Sequence, residues 1–309
     1  MSRSGRARTL VVGGTVLVAA LAAVLVAVVV GSGGSDADPV SGPTQFGASF
    51  QQEPAESYEE ALARTDRTIG PLDVVRVFYQ GEPDPWPGKA PGRSVVVSFK
   101  LDPRAVSAGL YDESMGEWFA AAPRDRDVTW VYWHEPEDDI EDGAFTAEEF
   151  RRAFAHLAGL AEQADHPRLR SAVVLMSYTL RPASGRDWRD YYPGDDVVDV
   201  FAWDVYNRRT DGYSPPEELL GGLRDVAESV GKPFAIGELG SQLADGDDGE
   251  GRAQWLLAVG DYALANGAPF VCYFDFVWND GANDYRLRDE PSAAAWRQLT
   301  ARAEVTPSP

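Results

Sequence analysis

The sequence predicts an α/β protein whose main part is a closed (β/α)8 barrel, preceded by one apolar N-terminal helix. Three observations predict the barrel. Eight short runs rich in β-branched and aromatic residues recur between positions 45 and 276, and helical periodicity fills most of the gaps between them. The runs are apolar at consecutive rather than alternate positions, as strands of a parallel sheet buried on both faces require. About 265 residues are available to them, the usual size of one such barrel.

The chain opens with a different material. Arg3, Arg6 and Arg8 precede an uncharged run at positions 10–30. Its 21 residues, at about 1.5 Å each, are long enough to cross a bilayer core of about 30 Å. The basic flank ahead of the run places the N-terminus in the cytoplasm. A cleavable signal usually has only about 7–15 apolar residues, and Val28-Val29-Val30-Gly31 is a poor cleavage site. Positions 1–30 therefore read as an uncleaved signal anchor, giving a single-pass cell-membrane protein with its main part outside. A cleaved signal peptide and a secreted protein is the alternative. The sole cysteine, Cys272, is too far along the chain to be a lipid-attachment site. Positions 31–44, GSGGSDADPVSGPT, form a flexible linker, and 45–309 form one domain.

The strands, in order, are assigned to positions 45–50, 74–79, 94–100, 128–133, 172–178, 197–206, 234–238 and 270–276. After the fourth, Phe150, Phe154, Leu157 and Ala161 recur on one helical face, and Thr146 and Glu149 have the spacing of a capping box. After the sixth, Ser214-Pro215-Pro216-Glu217 repeats that device ahead of an apolar stripe of Leu219, Leu220, Leu223 and Val226. Gly231-Lys232-Pro233 then ends the helix. The least helical crossovers are 80–92, rich in Pro and Gly, and 181–194, polar and aromatic. An open doubly wound sheet is the rival architecture. Against it, no G-x-G-x-x-G turn follows the first strand, where a dinucleotide would need close backbone approach.

Composition excludes several functions. A net charge of −21 argues against nucleic acid, whose phosphates attract clustered Lys and Arg. One cysteine excludes a disulfide scaffold and a Cys-based zinc site, and three histidines (His134, His156, His166) are too scattered for a His-rich metal centre. No G-x-S-x-G elbow presents a nucleophilic serine. The stretch Asp245-Gly246-Asp247-Asp248-Gly249-Glu250 fails the calcium-loop pattern, with Gly249 fifth and Leu256 twelfth, and reads as a solvated acidic loop. Cys272, inside an apolar strand, reads as a small buried hydrophobe.

In such a barrel the chemistry sits at the C-terminal ends of the strands. The fourth run ends Trp133-His134-Glu135-Pro136 and the seventh ends Gly237-Glu238-Leu239-Gly240. Arg76 lies in the second, Asp204-Val205-Tyr206-Asn207 ends the sixth, and Trp278 follows the eighth. Two carboxyls facing each other across one mouth are what glycoside hydrolysis needs. One protonates the leaving oxygen while the other attacks or stabilises the oxocarbenium-like centre. They must differ in protonation at one pH, which repulsion and partial burial arrange. The bland readings are a helix-start carboxylate for Glu135 and an ion-paired partner of Arg76 for Glu238.

These residues resemble glycoside hydrolase clan A and, within it, family 26, the β-mannanases. His134-Glu135 matches that family's variant of the clan motif, and Ile236-Gly237-Glu238-Leu239-Gly240 is similar to its nucleophile strand. The resemblance covers positions 45 to about 302. It implies a retaining enzyme with Glu135 as acid/base and Glu238 as nucleophile. It further implies that Tyr206 hydrogen-bonds the nucleophile, that His134 orients by hydrogen bonding and that Trp278 is a platform under the sugar. Arg76 is placed to hold Glu238 ionised. Trp86, Trp188, Trp203 and Asn207 complete the candidate substrate-binding set, whereas Trp130, Trp255 and Trp296 are assigned to core packing. Pro136-Glu137-Asp138-Asp139-Ile140-Glu141-Asp142 stands where mannanases carry a Trp-rich segment containing Asn-Gly. An acidic loop there disfavours polyanionic glycans and leaves neutral β-mannan, β-glucan and xylan open.

The expected protein is an exported, monomeric, retaining endo-β-glycosidase of a neutral polysaccharide, needing no cofactor and no metal. Two alternatives stand beside it. One is a non-catalytic glycan-binding or cell-wall protein on the same barrel. The other is a hydrolase or transglycosylase remodelling the producer's own envelope polysaccharide, a role that tethering suits.

Overall fold

The computed structural model describes residues 42–89, 92–278 and 281–303. The expected membrane anchor and most of the linker lie outside these residues. Among the described residues no helix is long and apolar enough to cross a membrane.

Eight parallel strands close into a barrel in chain order. They are β1 (Gln45–Phe50), β2 (Val74–Tyr79), β3 (Ser94–Phe99), β4 (Val128–Tyr132), β5 (Leu169–Met176), β6 (Val200–Asn207), β7 (Phe234–Ser241) and β8 (Phe270–Asp275). β8 closes on β1 along the whole strand, from the pair Gln45–Phe270 to the pair Phe50–Asp275. Side-chain alternation then sorts residues between two cores. Val74, Val96, Val131, Val174, Ala202, Ala235 and Cys272 fill the barrel interior. Their neighbours one position along, such as Val75, Val97, Trp130, Leu175, Trp203 and Ile236, join the larger core beneath the helices.

The strand ends differ from expectation where glycine or a turn decides. β7 runs on to Ser241 instead of stopping at Glu238, because Gly237 is used as a bulge within the strand. β5 starts at Leu169 and stops at Met176, where the chain winds into a 3-10 turn at Ser177–Leu180.

The helices are α1 (Tyr58–Ile69), α2 (Pro103–Ser107), α3 (Asp112–Ala120), α4 (Pro136–Glu141), α5 (Ala147–Gln163), α6 (Pro216–Ser229), α7 (Glu250–Ala265) and α8 (Glu290–Ala303). α5 opens on the expected capping box: Thr146 Oγ1 accepts from Glu149 N at 3.1 Å, and the Glu149 carboxylate accepts from Thr146 N at 2.8 Å. Ser57 and Glu60 build the same device at α1. The box expected at Ser214 does not form. Pro215 caps α6 without a side-chain bond, because Ser214 N–H goes to Asn207 Oδ1 at 3.1 Å and its carbonyl accepts from Trp255 Nε1 at 3.0 Å. Two crossovers have no α-helix among the described residues. The β2–β3 connection is turn and coil, and the β5–β6 connection is three short 3-10 turns. Those are the two stretches whose proline, glycine and polar content opposes helix formation.

Candidate active site

Glu135 follows β4 on a distorted piece of backbone. Trp133 has φ 50° and Glu135 has φ 51° and ψ 58°, both left-handed and both non-glycine. Such residues cost about 1–3 kcal/mol each and persist only where the surroundings over-determine them. Here Trp133 N–H bonds Phe99 O at 2.9 Å and Glu135 N–H bonds Val174 O at 3.0 Å, so β3 and β5 grip the turn from both sides. Pro136 then starts α4, where it is best tolerated.

A helix, α4, stands where an acidic loop was expected; Asp138, Glu141 and Asp142 are exposed as a solvated stretch would be, and Glu137 and Asp139 turn inward. Glu137 is fully buried, its Oε1 accepting from Met176 N at 2.8 Å and from Thr179 Oγ1 at 2.7 Å. Asp139 accepts from Trp133 Nε1 at 2.6 Å and from Lys100 Nζ at 3.1 Å. Arg186, buried along its length, bonds Asp138 at 2.5 Å and Glu141 at 2.6 Å. Asp138, Asp139 and Glu141 are thus ion-paired, and Glu137 is hydrogen-bonded to the end of β5 and the turn after it.

Glu238 reaches the mouth through the β7 bulge. Trp203 pairs with Ile236 but Asp204 pairs with Glu238, so Gly237 is the extra residue. Strict alternation from Ala235 inside and Ile236 outside would aim Glu238 at the helices. The extra residue re-aims it, a common use of a bulge beside a site. Gly237 is required, since a Cβ there would lie 2.6 Å from Asp204 Oδ1 and 3.1 Å from Val174 Cγ1. Glu238 is 6% exposed, and the Tyr206 hydroxyl donates to its Oε2. Gly240 makes room for that tyrosine, because a Cβ at Gly240 would lie 2.5 Å from its ring.

The two glutamates have different surroundings. Burial pushes Glu135 up to about 8, and the charges of Glu238 and Glu137 add to it against the pull of Lys100. Burial also raises Glu238, but Arg76, the Tyr206 hydrogen bond and Lys100 pull it back. Glu238 thus has Arg76, Tyr206 and Lys100 favouring its charged form, whereas Glu135 has Lys100 alone. Arg76 is buried, its guanidinium lies 4.7 Å from the Phe78 ring centroid, and none of its nitrogens has a hydrogen-bond partner among the described residues. It acts on Glu238 through its field rather than as a bonded partner. His134 lies against Phe78, ring centroids 5.1 Å apart, and its buried Nδ1 has no hydrogen-bond partner among the described residues. Burial, then Arg76 and Lys100, hold it well below its ordinary value, so it is neutral.

Asp204 is the residue that sequence reasoning passed over. It shares the inner face of β6 with Tyr206 and is 2% exposed, neither oxygen having a hydrogen-bond partner among the described residues. Burial, then Glu238 and Glu135, push its carboxyl well up. Its place two residues before Tyr206 was the available signal.

The candidate aromatics divide. Trp278, on a short strand β9 (Val277–Trp278) paired with β10 (Asn283–Asp284), is 58% exposed and has a face to offer. Trp86 is half-buried, stacked on Trp118 at 4.7 Å, with its Nε1 bonded to Trp118 O. Trp203 is completely buried against Phe201 at 4.8 Å, and Trp188 is buried against the same ring at 5.7 Å. Neither presents a face to a sugar. Asn207 is also buried, and its amide joins Gly212 O and Ser241 Oγ, so it shapes loops instead of lining the mouth. In the Asp245–Glu250 stretch Asp245, Asp248 and Glu250 are exposed, as expected of a solvated loop, while Asp247 accepts from the N–H groups of Gly249, Gly251 and Arg252 and so caps α7.

Glu135 just past β4 and Glu238 within β7 thus stand at the C-terminal mouth of a parallel barrel, the face where such a barrel carries its chemistry. Solved structures of family 26 mannanases share the fold. One is a modular endo-β-1,4-mannanase from Cellulomonas fimi, with TM-score 0.57 and 16% identity over 86% of this chain and 72% of that one. Another is a family 26 β-mannanase from Bacteroides ovatus, with TM-score 0.53 and 14% identity over 85% and 89%. A glucosidase from Croceicoccus marinus has TM-score 0.59 and 14% identity over 86% and 69%. No sequence-family model matches the chain, and no curated protein sequence matches it significantly.

Proposed function

We propose that this chain is an exported, membrane-tethered retaining endo-β-glycosidase of a neutral β-linked polysaccharide, with β-mannan the first substrate to test. The observation that carries the reading is the asymmetry of the two glutamates. Glu238 accepts the Tyr206 hydroxyl and lies in the field of Arg76, whereas Glu135 has neither partner and burial pushes it up to about 8. Glu135 protonates the leaving glycosidic oxygen while Glu238 attacks the anomeric carbon, giving a glycosyl-enzyme and a released chain end. Glu135, now a base, takes a proton from water as the water displaces Glu238. Neutral His134 orients the site, and exposed Trp278 stacks on a pyranose face. No step calls on a cofactor. The mannanase structures support β-mannan, and the ion-paired α4 in place of a Trp-rich segment keeps β-glucan and xylan as alternatives.

The test incubates the full chain with β-mannan, glucomannan, β-glucan and xylan and follows new reducing ends and their first-formed anomer by NMR. Release of the β-anomer, abolished in Glu238→Ala, supports the reading. A folded protein that binds these polymers and releases nothing would be the glycan-binding alternative.

A further inference from the structure

Glu137 stands two residues beyond Glu135 and has no part in the mechanism above. A glutamate in the first turn of a short surface helix is normally solvated, yet this one is fully buried. Its Oε1 is held by Met176 N–H and Thr179 O–H, and its Oε2 is sealed from solvent with no hydrogen-bond partner among the described residues. Both donors belong to the end of β5 and the turn after it. The Glu135 N–H bonds β5 as well, at Val174 O. Glu135 is thus tied to β5 twice, once through its own backbone and once through Glu137, and between the two ties sits the left-handed backbone of Glu135.

We propose that Glu137 is a positioning residue for Glu135, holding its strained backbone against β5 and placing a buried carboxyl behind it. This deepens the glycosidase reading and rests on it. The groups facing Glu137 are Glu135 and Asp138 beside it, Arg186 and Tyr191 from the β5–β6 connection and Asp204 from β6. Arg186 is already shared between Asp138 and Glu141 and leaves Glu137 without a salt bridge. Burial pushes Glu137 up to about 7, against its Thr179 and backbone hydrogen bonds and the Arg186 charge. As pH rises past that point the Glu137 charge appears and opposes ionisation of Glu135. Glu135 then keeps its proton to higher pH than it would alone.

Glu137→Gln keeps the shape and an acceptor for Met176 and Thr179 but removes the charge. In the full chain, the alkaline limb of kcat/KM moves down by on the order of half a pH unit. Glu137→Ala releases the backbone and lowers kcat about 10–100-fold with little change in KM. Thr179→Val weakens the tie without adding a new group; it favours neutral Glu137 and shifts the alkaline limb in the same direction as Glu137→Gln. Carbon-13 NMR of the glutamate carboxyls reads the same coupling without a substrate, the Glu135 signal being assigned by its loss in Glu135→Gln. A Glu135 titration unmoved in both Glu137→Gln and Thr179→Val overturns the proposal. A titration that moves in a protein cleaving no glycan supports the coupling and overturns only the glycosidase reading.

Discussion

Tyr206→Phe removes one oxygen from the site and nothing else. The ring stays packed between Phe274, at 5.8 Å, and Tyr285, at 5.0 Å, so the fold has no cavity to absorb. What goes is the O–H donated to Glu238 Oε2. A hydrogen bond to a charged group contributes about 1.5–3 kcal/mol, or roughly 10–150-fold in rate if it holds the attacking carboxylate in line. The same bond is one of the forces pulling Glu238 down against its burial. Without it Glu238 titrates higher, so the acidic limb of the pH profile moves up while the alkaline limb, set by Glu135, stays. The assay is kcat/KM against pH on a soluble manno-oligosaccharide, with the melting temperature as a control for folding. A variant that keeps full kcat and an unmoved acidic limb would refute the assignment of Glu238 as the ionised partner.

Three further outcomes follow from the same geometry. Gly240→Ala would put a Cβ 2.5 Å from the Tyr206 ring, so it lowers kcat at least as much as Tyr206→Phe; a fully active variant would contradict the close approach. Trp203→Ala cuts a hole in the outer core and costs about 3–5 kcal/mol by denaturant unfolding, whereas Trp278→Ala raises KM and leaves the unfolding midpoint in place. The third concerns pH. Glu135, Glu137, Asp204 and Glu238 are all raised by burial, so the folded state binds more protons than the unfolded one above the ordinary glutamate value of 4.5. Their stabilisation is complete below that value and is lost as pH climbs through about 7 and 8. Glu56 and Glu149, held down at about 2 by Arg64 and Arg104, act oppositely and lose their contribution in acid. Thermal scans should therefore peak in mild acid and fall toward pH 9; a maximum at pH 8 or above would contradict the burial of the four carboxyls.

The barrel was legible because eight buried parallel strands leave eight apolar runs, and because only one Pro/Gly-rich stretch and one polar, aromatic stretch failed to look helical. Glu135 was legible as a carboxyl just past the end of β4, whereas Glu238, read as ending its strand, stands inside β7. How Glu238 reaches the mouth was not legible, because a glycine in a strand pattern reads equally as an end or as a bulge, and only pairing with β6 distinguishes them. Trp203 and Asn207 were misplaced for a reason the sequence did contain. With Ala202 inside, alternation puts Asp204 and Tyr206 inside and sends Trp203, Val205 and Asn207 outward. Reading β6 by parity would have exchanged Trp203 for Asp204. Burial of Glu137 had no local signal: five acidic residues between Glu137 and Asp142 look solvated until Thr179, Lys100 and Arg186 arrive from distant positions.

The central claim is that Glu238 attacks the anomeric carbon with Glu135 as its acid/base partner. The most direct test treats the full chain with a 2-deoxy-2-fluoro-β-mannosyl fluoride, which slows release of a glycosyl-enzyme, and maps the label by mass spectrometry of peptides. One fluorosugar on Glu238, lost in Glu238→Ala and still formed in Glu135→Ala, is the predicted result. A label on another carboxylate, or none while native polysaccharide is being cleaved, would contradict it.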